Sequence, residues 1–245
     1  MKIYSVASGK GGTGKTTFSV NLAITIANYL GSRVLVVDAD FFLPSVNAIL
    51  GIVPTHSLKE VLHAALRNLT PMITGTAYGI DVLSFVSDIN ESKDLSIDMV
   101  KRLVLAVSRL PYDIVIFDSG AGVSHTMLEI SRHATDIIIV TLPDPVALLG
   151  SYRTMALINR YNPHGRFYYV VNRVTDRTTT LNYAENYVSL VRDKLGRDVI
   201  FLDTIPHDQN VMDAGVKQKP FAVMPHVKAR RVLESIASRL IGFPQ

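Results

Sequence analysis

Residues 9–16 of the 245-residue chain read Gly9-Lys10-Gly11-Gly12-Thr13-Gly14-Lys15-Thr16, a complete GxxxxGK[ST] spacing. Glycines let the backbone curl until successive N–H groups point inward at phosphate oxygens, and the positive end of a following helix adds to that field. Gly9, Gly11, Gly12, Thr13, Gly14 and Thr17 are therefore candidate phosphate contacts. The Lys15 ammonium would reach the β- and γ-phosphates, and the Thr16 hydroxyl would ligate Mg²⁺. The alternative is a plain glycine-rich turn. Against it, a short apolar strand precedes the loop and a helical stretch, Thr17 to Leu30, follows it. The chemistry this points to is phosphoryl transfer.

Three carboxylates could serve it. In Asp113-Ile114-Val115-Ile116-Phe117-Asp118 four apolar residues deliver Asp118 to a strand end, where it would hold Mg²⁺ through a water, since that ion keeps several waters. Asp38 and Asp40 stand two apart where another strand ends, and a period of two directs both to one side unless the chain has begun to turn. Otherwise they merely end the strand and cap the segment from Phe41 to Leu50. After the run FYYVV come Asn172 and Arg173: an amide can pair with a purine edge and a guanidinium can stack on it, the alternative being an ordinary surface loop. The seven histidines show no metal-ligand spacing, and there is no G-x-S-x-G elbow.

These residues need a frame. Apolar, β-branched segments fall at 2–7, 33–37, 80–85, 113–117, 136–141, 167–171 and 199–203, several apolar at consecutive positions as in strands covered on both faces. Helix-length stretches near 15–30, 57–67, 94–109, 124–134, 146–160, 178–195 and 227–241 alternate with them. The expected class is α/β: a doubly wound, mainly parallel sheet of about seven strands with helices on both faces. No linker or repeat divides the chain, so residues 1–245 read as a single domain.

Hydrophobic residues make up 48% of the chain and charged residues 19%, which excludes intrinsic disorder. The sequence has no cysteine, so thiol catalysis, disulfides and Cys-ligated clusters are excluded and a cytoplasmic location is expected. Net charge is +4, concentrated near the end, where Lys217, Lys219, Lys228, Arg230, Arg231 and Arg239 oppose only Glu234. Such a bias would suit DNA or an anionic lipid surface, though a solvated helix face is the commoner explanation. The last helical stretch carries Val232, Leu233, Ile236, Ala237, Leu240 and Ile241 on one face; it is expected to cover the sheet, leaving any membrane contact weak or indirect.

The second lysine inside the loop, Lys10, makes the string KGGTGKTT, which resembles the deviant Walker A signature of the MinD/ParA group of P-loop ATPases. Val37-Asp38-Ala39-Asp40, Asp118-Ser119-Gly120-Ala121-Gly122, Val171-Asn172-Arg173 and Ile205-Pro206-His207-Asp208 extend the resemblance, in the group's order, over residues 1 to about 220. It implies an Mg·ATP-dependent ATPase in which Asp40 orients the attacking water and Asp38 supports the magnesium region. Pro206 and Asp208 would complete the base pocket. Lys10 would cross to a partner's phosphates in an ATP-dependent homodimer, and a regulatory protein would accelerate slow hydrolysis. The resemblance is nearest to MinD-like and FlhG-like members. ParA-type DNA partitioning and a non-hydrolysing nucleotide-binding scaffold are the alternatives, with peripheral contact at the inner face of a membrane left open. A metal-insertion branch ordinarily uses paired cysteines, and this chain has none. One departure stands out: Gly120 replaces the proline of the group's D-x-P-A-G, which implies a more flexible segment there.

Overall fold

The computed structural model describes residues 1–86 and 94–242. Its strands are β1 (Lys2–Ala7), β2 (Val34–Ala39), β3 (Ile73–Gly75), β4 (Asp81–Leu83), β5 (Ile114–Ser119), β6 (Asp136–Thr141), β7 (Arg166–Val174) and β8 (Val199–Pro206). They form one sheet of eight, in the order β3-β4-β2-β5-β1-β6-β7-β8, parallel except for the β3–β4 pair. The expectation of about seven strands is thus corrected to eight. The additional strand is β3, three residues folded back antiparallel on β4 with Ile73 opposite Leu83.

The helices are α1 (Lys15–Leu30), α2 (Val46–Leu50), α3 (Leu58–Ala64), α4 (Ile97–Val107), α5 (His125–His133), α6 (Pro145–Tyr161), α7 (Arg177–Leu195), α8 (Gln209–Val216) and α9 (Lys228–Ile241). Polar side chains start most of them: Ser57, Ser96, Ser124, Asp144, Asp176 and Asp208 each accept a backbone N–H two or three residues on, satisfying donors that a helix start leaves free. Because side chains alternate across a strand, the sheet has two dry faces. Tyr4, Val6, Val34, Val36, Ile114 and Ile116 pack with α1, α2, α8 and α9. Ile3, Leu35, Val37, Val115 and Phe117 pack with α3 to α7. The doubly wound α/β reading holds.

The last helix belongs to that core. Ala229, Leu233, Ile236, Ala237 and Leu240 of α9 are buried, each large apolar side chain contributing about 1.5–3 kcal/mol to folding. Lys2 Nζ and Tyr4 Oη donate to the Leu240 carbonyl at 3.0 and 3.1 Å, closing the carboxyl end of the helix where cations are favoured. Arg239 reaches across to donate to the Leu202 and Phe201 carbonyls of β8. Among the described residues no helix is long and apolar enough to cross a membrane.

Candidate functional site

In the sheet β1 lies between β5 and β6; the connection from β1 runs to β2 on one side and that from β5 crosses to β6 on the other, so a crevice opens at the carboxyl end of β1. The phosphate loop fills that position. Gly14 ends it with φ 84°, a left-handed conformation glycine adopts without strain, and its carbonyl receives the Phe18 N–H at 2.8 Å to begin α1. Gly9 has a different duty: a Cβ there would stand 2.0 Å from the Gly150 carbonyl carbon, so the α6 backbone rests directly on the loop. Gly12, Thr13, Gly14, Lys15, Thr16 and Thr17 line a cavity of about 360 Å³, closed by Asp40, Ser45 and Arg173 among others. Gly9, Lys10 and Gly11 stay outside its lining.

Strand register explains the carboxylates. Asp38 and Asp118 are direct neighbours on β2 and β5, and each continues the row of side chains facing α1. Asp118 therefore meets α1: Ser19 Oγ donates to its Oδ1 at 2.8 Å and Lys15 Nζ lies 3.7 Å from the same oxygen. Asp38 turns to the following loop, its Oδ2 accepting the Ser45 and Val46 N–H groups at 2.8 and 2.9 Å. Asp40, one residue past the strand, lines the cavity instead and accepts the Leu43 N–H at 3.1 Å. Asp40 falls after β2 ends at Ala39, where the chain has begun to turn, so the period of two no longer fixes its side.

Two carboxylates in a dry site oppose each other. Burial, then the charge of Asp118, pushes the Asp38 carboxyl up to about 7 despite the three N–H donors of Val46, Asp40 and Ser45. Burial also raises Asp118, against the pull of Lys15 and the hydroxyls of Thr16 and Ser19. A group raised on folding favours the fold fully below its unfolded value, and that contribution is lost as pH rises through the folded one. The nucleotide-free protein is expected to lose stability progressively from about pH 4 to pH 7 through Asp38. Melting curves of wild type and Asp38→Asn across that range check it: a pH slope identical in both removes Asp38 as the source.

The same charge surplus fits a divalent cation. Asp118 Oδ2 and Thr13 Oγ1 are buried with no hydrogen-bond partner among the described residues. Thr16 Oγ1, which accepts from Ser45 Oγ at 3.2 Å, stands on the same rim. No group of three or more His, Cys, Asp or Glu among the described residues could hold a metal alone. Magnesium, which shares its oxygen shell with phosphates and water, suits so sparse a set. At this phosphate site sequence reasoning missed Ser45 and Ser19; Ser19, one turn after Lys15 on α1, was findable by helical spacing.

A second cavity, about 180 Å³, adjoins the first through Gly14, Thr17 and Arg173. Asn172, Pro206 and Asp208 line it, together with Phe18, Met212 and Phe221, which were not foreseen. Asp208 is occupied with structure: its carboxylate accepts the Asn210 N–H at 2.9 Å and the Lys228 N–H at 3.1 Å, tying α8 to α9. Burial acts upward on it, but those hydrogen bonds outweigh burial and hold it below the usual carboxylate range. Arg173 sits at φ 57°, where the β7–β8 register shifts, and borders both cavities.

A central strand, a phosphate loop at its end, a helix behind the loop and an acidic neighbouring strand together define a P-loop nucleoside triphosphatase. The chain belongs to the ParA family of P-loop NTPases: the family model described as ParA, NUBPL iron-transfer P-loop NTPase, matches residues 1–241. It is an ATPase of that family, which uses Mg²⁺ with ATP. The antiactivator FleN of Pseudomonas aeruginosa is 26% identical over all of this chain and 88% of that protein. The septum site-determining protein MinD of Bacillus subtilis is 26% identical over 97% of this chain and 88% of its own length. The fold is shared with MinD of Pyrococcus horikoshii complexed with Mg-ADP, at TM-score 0.83 and 22% identity over 98% of this chain and 95% of that one. It is likewise shared with the MinC:MinD complex of Aquifex aeolicus, at TM-score 0.80 and 22% identity over 100% and 98%.

Proposed function

We propose that this ATPase is a MinD-like switch: it binds Mg·ATP, pairs face to face with a second copy, and hydrolyses slowly until a partner protein accelerates it. The observation that carries this reading is Lys10. It lies inside the phosphate loop, yet its side chain is 45% exposed, outside the lining of its own cavity, and 3.7 Å from Asp144 at the start of α6. A cation held at the rim is placed to meet phosphates presented by another copy. The exposed apolar side chains Phe42, Leu43, Val146 and Leu149 follow β2 and β6 at the same carboxyl edge and suit burial between copies.

In this reading Lys15 and the loop N–H groups grip the β- and γ-phosphates, and the glycines let them approach. Thr16 and Asp118 hold Mg²⁺, which supplies charge neutralisation there, with Asp38 fixing the loop beside it. Asp40 orients the attacking water, and Asn172, Arg173, Pro206 and Asp208 bound the base cavity. Removing the γ-phosphate removes the contact that favours the dimer. Relatives named for septum-site determination and antiactivation, and a neighbour solved with MinC, support action through a regulatory partner. The matching location is cytoplasmic, with any membrane contact weak or indirect, since the apolar side of α9 is buried and is not offered to a lipid surface.

Lys10→Ala is expected to bind Mg·ATP within about three-fold of wild type while losing the ATP-dependent dimer, since the removed cation is at the rim. Titration calorimetry and light scattering separate the two effects; a normal dimer in Lys10→Ala would sink the proposal. The exposed Lys217, Lys219, Lys228 and Arg231 favour a second reading, ParA-type DNA binding through phosphates. ATP-dependent DNA retention that weakens steeply with salt would select it.

A further inference from the structure

We infer that Asn21 is a positioning residue for the base cavity: it fastens the segment after α8 to α1, so that the Phe221 ring stands as an aromatic wall against which a planar base packs. The inference rests on the nucleotide-binding reading above and adds to it two residues outside the phosphate loop. In α1 every residue from Phe18 to Ile26 is buried, and an asparagine is a poor helix former in such a stretch. A buried amide needs hydrogen-bond partners, and this one has two. Asn21 Nδ2 donates to the Thr17 carbonyl one turn back at 2.8 Å. Its Oδ1 accepts the Ala222 N–H at 2.8 Å, joining residues 201 apart in the chain.

Both partners belong to the nucleotide site. Thr17 borders the base cavity and the phosphate cavity alike, and Phe221, the neighbour of Ala222, lines the base cavity. The chain from Lys217 to Met224 is irregular apart from one short turn at Phe221–Val223. Among the described residues its other hydrogen bonds stay within 213–227. Phe221 and Ala222 are also buried in the apolar core, but apolar contact is non-directional; the bond to Asn21 supplies the direction. Ala222 is buried, so its N–H has no water to turn to if the amide is removed. Phe18 and Phe221 are the two phenyl rings among the residues lining the cavity. Phe18 is placed by the helix that carries it, whereas Phe221 takes its place from Asn21. A ring face suits the π-surface of any base, so this wall holds a base without choosing between adenine and guanine.

The test titrates Mg²⁺ complexes of ATP, GTP and inorganic tripolyphosphate, which has no base, into wild type, Asn21→Ala, Asn21→Ser and Phe221→Leu. A double variant joins Phe221→Leu to an Asn21 change that folds; the serine hydroxyl is too short to span both partners, so Asn21→Ser serves if Asn21→Ala does not fold. ATP and GTP should each weaken by about ten-fold in every single variant, with tripolyphosphate within about two-fold of wild type. KM for ATP should rise by the same factor while kcat stays within about two-fold, because the wall grips ground state and transition state alike. The double variant should bind ATP no more than about two-fold more weakly than Phe221→Leu alone, since Asn21 acts through that ring. Tripolyphosphate weakened as much as ATP, unchanged ATP affinity in the Asn21 variants, or losses that multiply to about 10²-fold in the double variant would overturn the inference. So would loss of fold in both Asn21 variants, since a side chain that fastens one segment does not hold the fold. If wild type does not hold tripolyphosphate, the double variant decides with ATP alone. Wild type that fails to bind Mg·ATP would be a separate result, against the nucleotide reading itself.

Discussion

Lys15→Ala is expected to weaken Mg·ATP binding by about 10²-fold or more, since two charge-assisted contacts at about 1.5–3 kcal/mol each are removed. The variant should also be less stable without any ligand. Lys15 is only 8% exposed, and its ammonium is 3.7 Å from the fully buried Asp118 carboxylate. Truncating it strands that charge, at a cost of about 3–5 kcal/mol. Adding Asp118→Asn removes the stranded charge, so the double variant should recover most of the stability and none of the binding. Denaturant melts and titration calorimetry read the two separately. A single variant as stable as wild type would show that the ion pair is not the compensated unit described here; retained ATP affinity would remove Lys15 from the phosphate grip.

Asp40→Ala should bind Mg·ATP within a few-fold of wild type, accumulate as a dimer, and turn over about 10²-fold more slowly or worse, as expected for a lost general-base role. The geometry separates binding from catalysis. Asp40 borders the phosphate cavity without belonging to the loop, and its carboxylate is steadied by the Leu43 N–H at 3.1 Å. It also lies against Gly120, where a Cβ would approach its Oδ2 to 3.3 Å. Asp40→Asn keeps size and an acceptor for Leu43 and should be equally slow, which distinguishes water orientation from loop support. Single-turnover hydrolysis is the measurement; near-normal turnover in Asp40→Asn would leave Asp40 only the role of ending its strand.

The phosphate loop was legible because its chemistry is local: eight consecutive residues carry the glycines, the lysine and the hydroxyl. The strands were legible where both faces are buried, and β1 and β6 fall at 2–7 and 136–141 as read. Elements that depend on distant partners were not. β3 has three residues, too few for an apolar run, and exists through its pairing with β4. α8 contains Gly215 and buries only Ala214, so it shows no apolar stripe. Strands β2 and β5 run two residues past their expected ends, which places Asp38 and Asp118 inside the sheet and side by side. That neighbourhood, which raises Asp38, cannot be read from residues 80 positions apart. Gly120 shows a similar limit. A Cβ there would stand 3.3 Å from the Asp40 carboxylate, a close approach that the local sequence does not show.

The two margins of the sheet bear on how copies of this chain can meet. An open strand edge is a template for continuing a sheet into a neighbouring molecule, the route by which many proteins aggregate. Here one margin is β3, only three residues long and running antiparallel to the rest. The other, β8, is interrupted by a register shift after Phe201 and has the Arg239 guanidinium on the Phe201 and Leu202 carbonyls. Short length, irregularity and a fixed charge are the devices that blunt such templates. Both margins are thus poor at recruiting a strand, and copies of this chain are not expected to join edge to edge into one continuous sheet.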